Sequence, residues 1–344
     1  MTSVSNSLTV ETAIEKPREK LFDIERGKGI GILLVVYGHL VMFETLGEQI
    51  WYRETKGAIY LFHMPLFMYL SGFVFFYTGA HLAVERNYRE FVLKRFDRLI
   101  LPFLALALVT VIGKALASHF VYVDQGVSGL WNGIAAVISN APQNPAISIW
   151  YLAVLFIYSI MTPILLKLLG GNVWALLTLA LAAHFIPLPE DFYLARIFRY
   201  YVFFAFGMVA SRHAGAFLSY YSRYFFGFLV VFAVLLYFGR SIPYSLLLCG
   251  MASIPVIHAF TTSSFFVRSD PLVWLGQNSM VIYLLNTIAI GIAKAAYLRI
   301  FSYKDLWFVF MIVVLLAAGV FGPLAFKYIL KRIPNSGPIY KYIR

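Results

Sequence analysis

Charge is what this chain of 344 residues most lacks. Only 13% of its residues are Asp, Glu, Lys or Arg, about half the usual share of a soluble domain. With 61% hydrophobic residues and a mean hydropathy of +0.78, a soluble globular fold, a disordered chain and a coiled coil are all excluded. Cysteine is nearly absent as well. A single Cys249 rules out a disulfide framework and a cysteine-based zinc site, and its apolar surroundings read as a buried, inert thiol. Acidic residues are scarcer than basic ones, 16 against 28, for a net charge of +12. No basic stripe interleaved with aromatics lies outside the apolar runs, so this excess does not point to nucleic acid; basic loops facing anionic lipid account for it. The N-terminus is polar and mixed in charge as far as Lys28, without the compact basic start and cleavage site of a signal peptide. The first apolar run therefore reads as a retained membrane span. Internal repeats and low-complexity segments are also missing.

What remains is an aromatic-rich set of long apolar runs, with Phe 32, Tyr 23 and Trp 6 suited to the bilayer interfaces. A helix crossing a bilayer core needs roughly 20 apolar residues. Runs at 29–46, 57–80, 99–120, 148–169, 173–188, 196–212, 224–239, 243–262, 273–298 and 306–327 meet or approach that length. The fold class is thus an all-α integral membrane bundle of about ten helices. The stretch 126–146, with Pro142 and Pro145, reads as an outside loop or a re-entrant piece. Most basic residues fall in loops on one side when the N-terminus is placed inside, which predicts an N-in, C-in orientation. Residues 1–27 and 331–344 are then cytoplasmic tails around a membrane unit at 28–330.

Few side chains inside this unit can carry chemistry. In "KGIGILLVVYGHL", His39 lies eleven residues after Lys28, on nearly the same helix face and about 16 Å further along the helix. An ionisable side chain at that depth is costly and suggests function, beside the plainer reading of a histidine hydrogen-bonded for packing. His63, in "GAIYLFHMPLF", enters the next span from the same side and falls near His39 in depth. Two neighbouring imidazoles can divide base and electrostatic roles, although an interfacial residue beside Pro65 would look the same. Arg95 and Arg98, in "LKRFDRLILP", share a helix face at the level of Lys28 and could hold phosphates bidentately, unless they merely mark a cytoplasmic helix end. Arg196 and Arg199, near the outer end of span six, could hold an acceptor, pair with Glu44 or Glu48, or snorkel. Trp150, Tyr151, Asn278, Ser279, Tyr283 and Asn286 are further polar candidates. His81, His119, His184, His213 and His258 lie near expected helix ends, where exposed or interfacial roles suffice. No ligand cluster for a metal is evident.

The order of motifs now matters. "DIERGKGIGILLVVYGHL", "FHMPLFMYLSGFVF", "KRFDRLILPF", "IWYLAVLF" and "LGQNSMVIYLLN" follow one another as they do in acyltransferase family 3. The chain resembles the membrane O-acetyltransferases of that family, closest to their fucose 4-O-acetylase-like branch, from about Asp23 to Lys331. The resemblance implies acetyl transfer from cytosolic acetyl-CoA to a sugar hydroxyl on a glycan or lipid-linked saccharide, in a bacterial inner membrane. It implies His39 as the essential histidine and Lys28, Arg95 and Arg98 as the donor-binding set; His63, read from its position near His39, would assist. The acceptor would meet Arg196, Arg199, Trp150 and Asn286. Many relatives end the last of these motifs in His, where this chain has Asn286. The rival readings are a transporter or flippase for a lipid-linked saccharide, and a membrane sensor or scaffold without chemistry.

Overall fold

The computed structural model describes residues 21–41, 49–118, 130–139, 144–263, 265–266, 270–302, 305–334, 337 and 341–342. Among them every regular element is helical. The order is α1 (Phe22–His39), α2 (Ile50–Tyr60), α3 (His63–Tyr77), α4 (Tyr88–Arg95), α5 (Leu101–Ala117), α6 (Leu130–Ser139), α7 (Trp150–Leu168) and α8 (Val173–His184). Then come α9 (Leu194–Arg212), α10 (Ala214–Arg223), α11 (Phe225–Phe238), α12 (Ser245–Thr261), α13 (Pro271–Gln277), α14 (Ser279–Tyr297) and α15 (Asp305–Arg332).

Six helical segments among the described residues are long and apolar enough to cross a membrane: Ile50–Tyr77, Tyr88–Leu116, Ile147–Leu168, Asp191–Arg212, Ser279–Tyr297 and Leu306–Arg332. A seventh is formed if α10 and α11 count together across their 76° bend. The expected count of about ten is not reached, because α8 and α12 have only 12 and 17 residues and the 18 residues of α1 include Asp23, Glu25, Arg26 and Lys28. Many large apolar side chains are exposed on the helices, as a lipid-facing surface requires; α11 has no buried residue.

The first span differs most from expectation. Helix α1 occupies 22–39 rather than 29–46, so its opening turns carry Asp23, Glu25, Arg26 and Lys28. The protein accommodates these charges by pairing them. Arg26 Nε meets Asp270 Oδ2 at 2.6 Å and its Nη1 donates to the Thr261 carbonyl at 2.9 Å. His258 Nε2 lies 3.1 Å from Asp23 Oδ2, and Lys28 Nζ donates to Glu25 at 2.6 Å. The expected loop at 126–146 contains a short amphipathic helix, α6, whose Val137 is buried together with the nearby Asn144.

Helix α1 is the central post, packed against α2, α3, α12, α13, α14 and α15. Glycines make the approach close. A Cβ on Gly27 or Gly31 would press on Leu70 or Phe67 of α3, whereas one on Gly29 would lie 2.2 Å from the Leu272 carbonyl oxygen on the opposite side. Helices α3 and α9 cross in the same manner, where Gly72 faces the Phe204 carbonyl and Gly207 the Tyr69 carbonyl.

The Arg26–Asp270 pair predicts a pH dependence. Burial alone pushes the Asp270 carboxyl up, but the Arg26 hydrogen bond and charge and the Val273 N–H outweigh it and hold the group below its ordinary value. A carboxyl depressed on folding adds stability above its unfolded pKa, and this is lost as pH falls through the folded value. Thermal unfolding of the solubilised protein should therefore drop below about pH 4. Asp270→Asn should make this acid limb shallower; an acid limb identical to wild type would refute the assignment.

Candidate active site

The C-terminal carbonyls of a helix have no partner within it and must find one elsewhere. Helix α2 supplies the partners for α1. Its residues 52, 56 and 60 recur every four positions on one face. Tyr52 Oη donates to the Tyr37 carbonyl at 2.6 Å, Tyr60 Oη to Gly38 at 2.8 Å and Lys56 Nζ to Val41 at 2.5 Å. Gly38 has to be glycine here, because a Cβ would lie 2.6 Å from the Tyr60 ring. This clasp fixes His39, the last residue of α1.

His39 is half-buried, makes no hydrogen bond among the described residues and interacts electrostatically with His63 and Lys56. The expected neighbourhood of the two histidines is therefore present. His63 opens α3, its ring 5.0 Å from that of Tyr60, and its Nδ1 lies 2.8 Å from the Ile59 carbonyl. A carbonyl only accepts, so Nδ1 carries the proton and Nε2 keeps the lone pair. Lys56 is almost fully buried, with its ammonium 5.5 Å from the Tyr60 ring centre. The sequence reading passed over it, although Lys56, Tyr60 and His63 stand at i, i+4 and i+7.

At the other end of α1, Lys28 is held by Glu25 of its own helix. Arg95 lies half-buried over the Phe91 and Phe75 rings at 5.1 and 5.8 Å, whereas Arg98 is exposed. The two arginines are electrostatic neighbours, but a π-helical turn at Phe96–Ile100 replaces the regular i, i+3 face that was expected. Asp97 between them is engaged by Lys341 and Tyr342 of the C-terminal segment.

Arg196 stacks over Trp150, its Cζ 5.0 Å from the ring centre. Both Arg196 and Arg199 pair at 3.4 Å with Glu190; the suggested partners Glu44 and Glu48 lie outside the described residues. Arg196 keeps one buried guanidinium nitrogen, Nη1, without a hydrogen bond. Nearby, Tyr151 and Ser71 share a 2.5 Å hydrogen bond, and Tyr283 Oη donates to the Ser148 carbonyl at 2.7 Å. Asn286 is buried, donates to the Ile282 and Tyr283 carbonyls and leaves its own Oδ1 unpaired.

His258 corrects the sequence reading. It is 2% exposed, and its Nδ1 lies 2.7 Å from the hydroxyl of the fully buried Tyr69, which completes a line from Asp23 through His258 to Tyr69. Among the other histidines placed near helix ends, His213 is exposed, His184 is half-buried against the Arg199 carbonyl and His119 lies outside the described residues. Cys249 is buried and free, as its apolar run implied. Among the described residues no three His, Cys, Asp or Glu side chains converge as metal ligands.

A bundle of apolar helices around a clasped, imidazole-bearing post defines an integral membrane protein with a buried polar site. Residues 21–328 match the family model Acyl_transf_3, an acyltransferase domain, and the chain belongs to this acyltransferase family. Over 89 residues it is 35% identical to nodulation protein NolL of Mesorhizobium japonicum, covering 25% of this chain and 22% of that protein. Over 189 residues it is 26% identical to nodulation protein NolL of Sinorhizobium fredii, covering 54% and 47%. The chain thus spans less than half the length of these curated relatives. No solved structure matches it. The family assignment and the apolar helices together make this a multi-pass membrane member of that family.

Proposed function

We propose that the protein is an O-acetyltransferase, of the fucose 4-O-acetylase-like branch, that moves acetyl from acetyl-CoA to a sugar hydroxyl of a cell-surface or lipid-linked glycan. It would work in a bacterial inner membrane as a bundle of about ten helices, N-in and C-in, with the short α8 and α12 counted as spans. Residues 28–330 form the acyltransferase unit between two cytoplasmic tails. The observation that carries this reading is the pair of imidazoles at the clasped end of α1: His39, whose ring nitrogens make no hydrogen bond among the described residues, and His63 with a lone pair on Nε2.

In this mechanism His39 accepts the sugar hydroxyl proton while the oxygen attacks the thioester carbonyl. The C–S bond breaks, the CoA thiolate leaves and takes up a proton, and the products are an acetyl ester and free CoA. The alternative course forms an acetyl-imidazole on His39 first. Lys56 places positive charge where the carbonyl oxygen becomes negative. Arg95, Arg98 and Lys28 receive the donor's phosphates, with Lys28 about 16 Å along α1 from His39, a span that the extended pantetheine arm can bridge. Trp150, Arg196, Arg199 and Asn286 form the acceptor subsite. The unpaired Arg196 Nη1 and Asn286 Oδ1 would give the carbohydrate a donor and an acceptor.

Purified protein supplied with acetyl-CoA and a glycan acceptor should release free CoA; a flippase would release none. Changing both Arg95 and Arg98 to alanine should weaken acetyl-CoA binding roughly ten- to a hundredfold, and Arg95→Lys should recover little because an ammonium lacks the guanidinium fork. Donor affinity equal to wild type in a well-inserted double variant would remove the arginines from the donor site.

A further inference from the structure

A cavity lies at the Lys28 end of the bundle, where α3, α7 and α9 finish. The level is fixed by contacts: Gly27 of α1 faces Leu70, and the cavity opens beyond Phe76 of the same α3. Its volume is about 520 Å³. In the orientation proposed above it faces the cytoplasm.

Its walls combine an aromatic floor with convergent charge. After Gly79, whose φ of 69° turns the chain back, the His81 ring stacks flat on Phe76, 4.1 Å between centres and 5° between planes. His81 Nδ1 is buried and makes no side-chain hydrogen bond among the described residues. Lys167, from the last turn of α7, also lines the cavity. Arg212, from the last turn of α9, gives Nη1 to the Gly171 carbonyl at 3.2 Å, which leaves most of its guanidinium uncommitted. One carboxylate, Glu85, faces these groups. An imidazole nitrogen, an ammonium and a guanidinium around one space make a receptor for a tetrahedral anion. Glu85 can accept a hydrogen bond and so favours an anionic ligand that also carries a hydroxyl group. Leu82, Val84 and Pro163 supply the apolar wall for the remainder.

We propose that this cavity binds a phosphate ester that carries a neighbouring hydroxyl. Two sources offer that chemistry. One is an anionic phospholipid headgroup, because basic pockets between cytoplasmic helix ends hold such lipids. The other is the nucleotide end of the acyl donor. The lipid source is independent of the acetyltransferase reading, whereas the nucleotide source rests on it.

The test compares wild type with Lys167→Gln/Arg212→Gln, both purified and matched in thermal unfolding. Native mass spectrometry reads retention of phosphatidylglycerol against phosphatidylcholine; calorimetry reads binding of adenosine 3′,5′-bisphosphate. Retention of phosphatidylglycerol or affinity for the bisphosphate should fall about tenfold or more in the variant, with phosphatidylcholine unaffected. A loss confined to the lipid assigns the site to the bilayer, and a loss confined to the bisphosphate assigns it to the donor. If the double variant does not assemble, His81→Phe keeps the stack on Phe76, removes only the ring nitrogens and is read by the same two assays. Wild-type retention of both probes in the variant measured overturns the proposal. Because acetyl transfer is not the readout, failure here leaves the acetyltransferase reading intact, and failure of that reading leaves the lipid arm standing.

Discussion

His39→Ala is expected to lower acetyl transfer by roughly 10²–10⁴-fold while the protein still inserts and still binds acetyl-CoA. The separation of activity from assembly follows from the geometry. The end of α1 is held by Tyr52, Lys56 and Tyr60 acting on backbone carbonyls, and the His39 side chain contributes no hydrogen bond to that clasp. Removing the imidazole takes away a proton acceptor and leaves the scaffold. His63→Ala should cost less, because that ring already spends Nδ1 on the Ile59 carbonyl and its proposed role is to assist. Release of CoA and appearance of the acetylated acceptor, measured beside the amount of protein in the membrane, check both expectations. Near wild-type transfer by His39→Ala would end the mechanism but not the family assignment.

The largest structural effect is expected at Arg26. Its guanidinium satisfies Asp270 and the Thr261 carbonyl and stacks over Phe266 at 4.9 Å, and the ion-paired side chains are each 8% exposed. Arg26→Ala strands a buried carboxylate and should cost about 3–5 kcal/mol, enough to reduce the yield of folded protein severely. The remedy is specific. Asp270 also caps α13 by accepting the Val273 N–H at 3.0 Å, so Arg26→Met combined with Asp270→Asn removes the stranded charge and keeps the cap. That pair should recover most of the loss in thermal unfolding. A single Arg26→Ala variant that melts like wild type would show that the pair holds nothing together.

These two residues also mark the limits of reading the sequence. Apolar run length and scarce charge gave the membrane class, the burial of Cys249 and the approximate place of most helices. The neighbourhood of His39 and His63 followed from consecutive antiparallel spans. The charged start of α1 did not follow. Hydropathy places Asp23 and Arg26 in water, whereas their partners His258 and Asp270 stand 235 and 244 positions away. Local periodicity carries no information across that distance. The same reason hid the Glu190 pairing of Arg196 and Arg199, where a charge expected in a loop folds back over the helix start. The π-helical turn between Arg95 and Arg98 was hidden differently, since one extra residue in a turn leaves composition unchanged.

The glycines of α1 bear on how substrates reach His39. Backbone and rings close in on this helix from two opposite sides, with Leu70, Phe67 and Tyr60 on one and Leu272 on the other. A helix gripped in this way has no free travel, neither sliding along its axis nor rocking between two faces of the membrane. Close contacts on both faces oppose exposure of the histidine by movement of its own helix. On the proposed reading the imidazole of His39 stays in place, and the substrates are brought to it rather than the histidine to them.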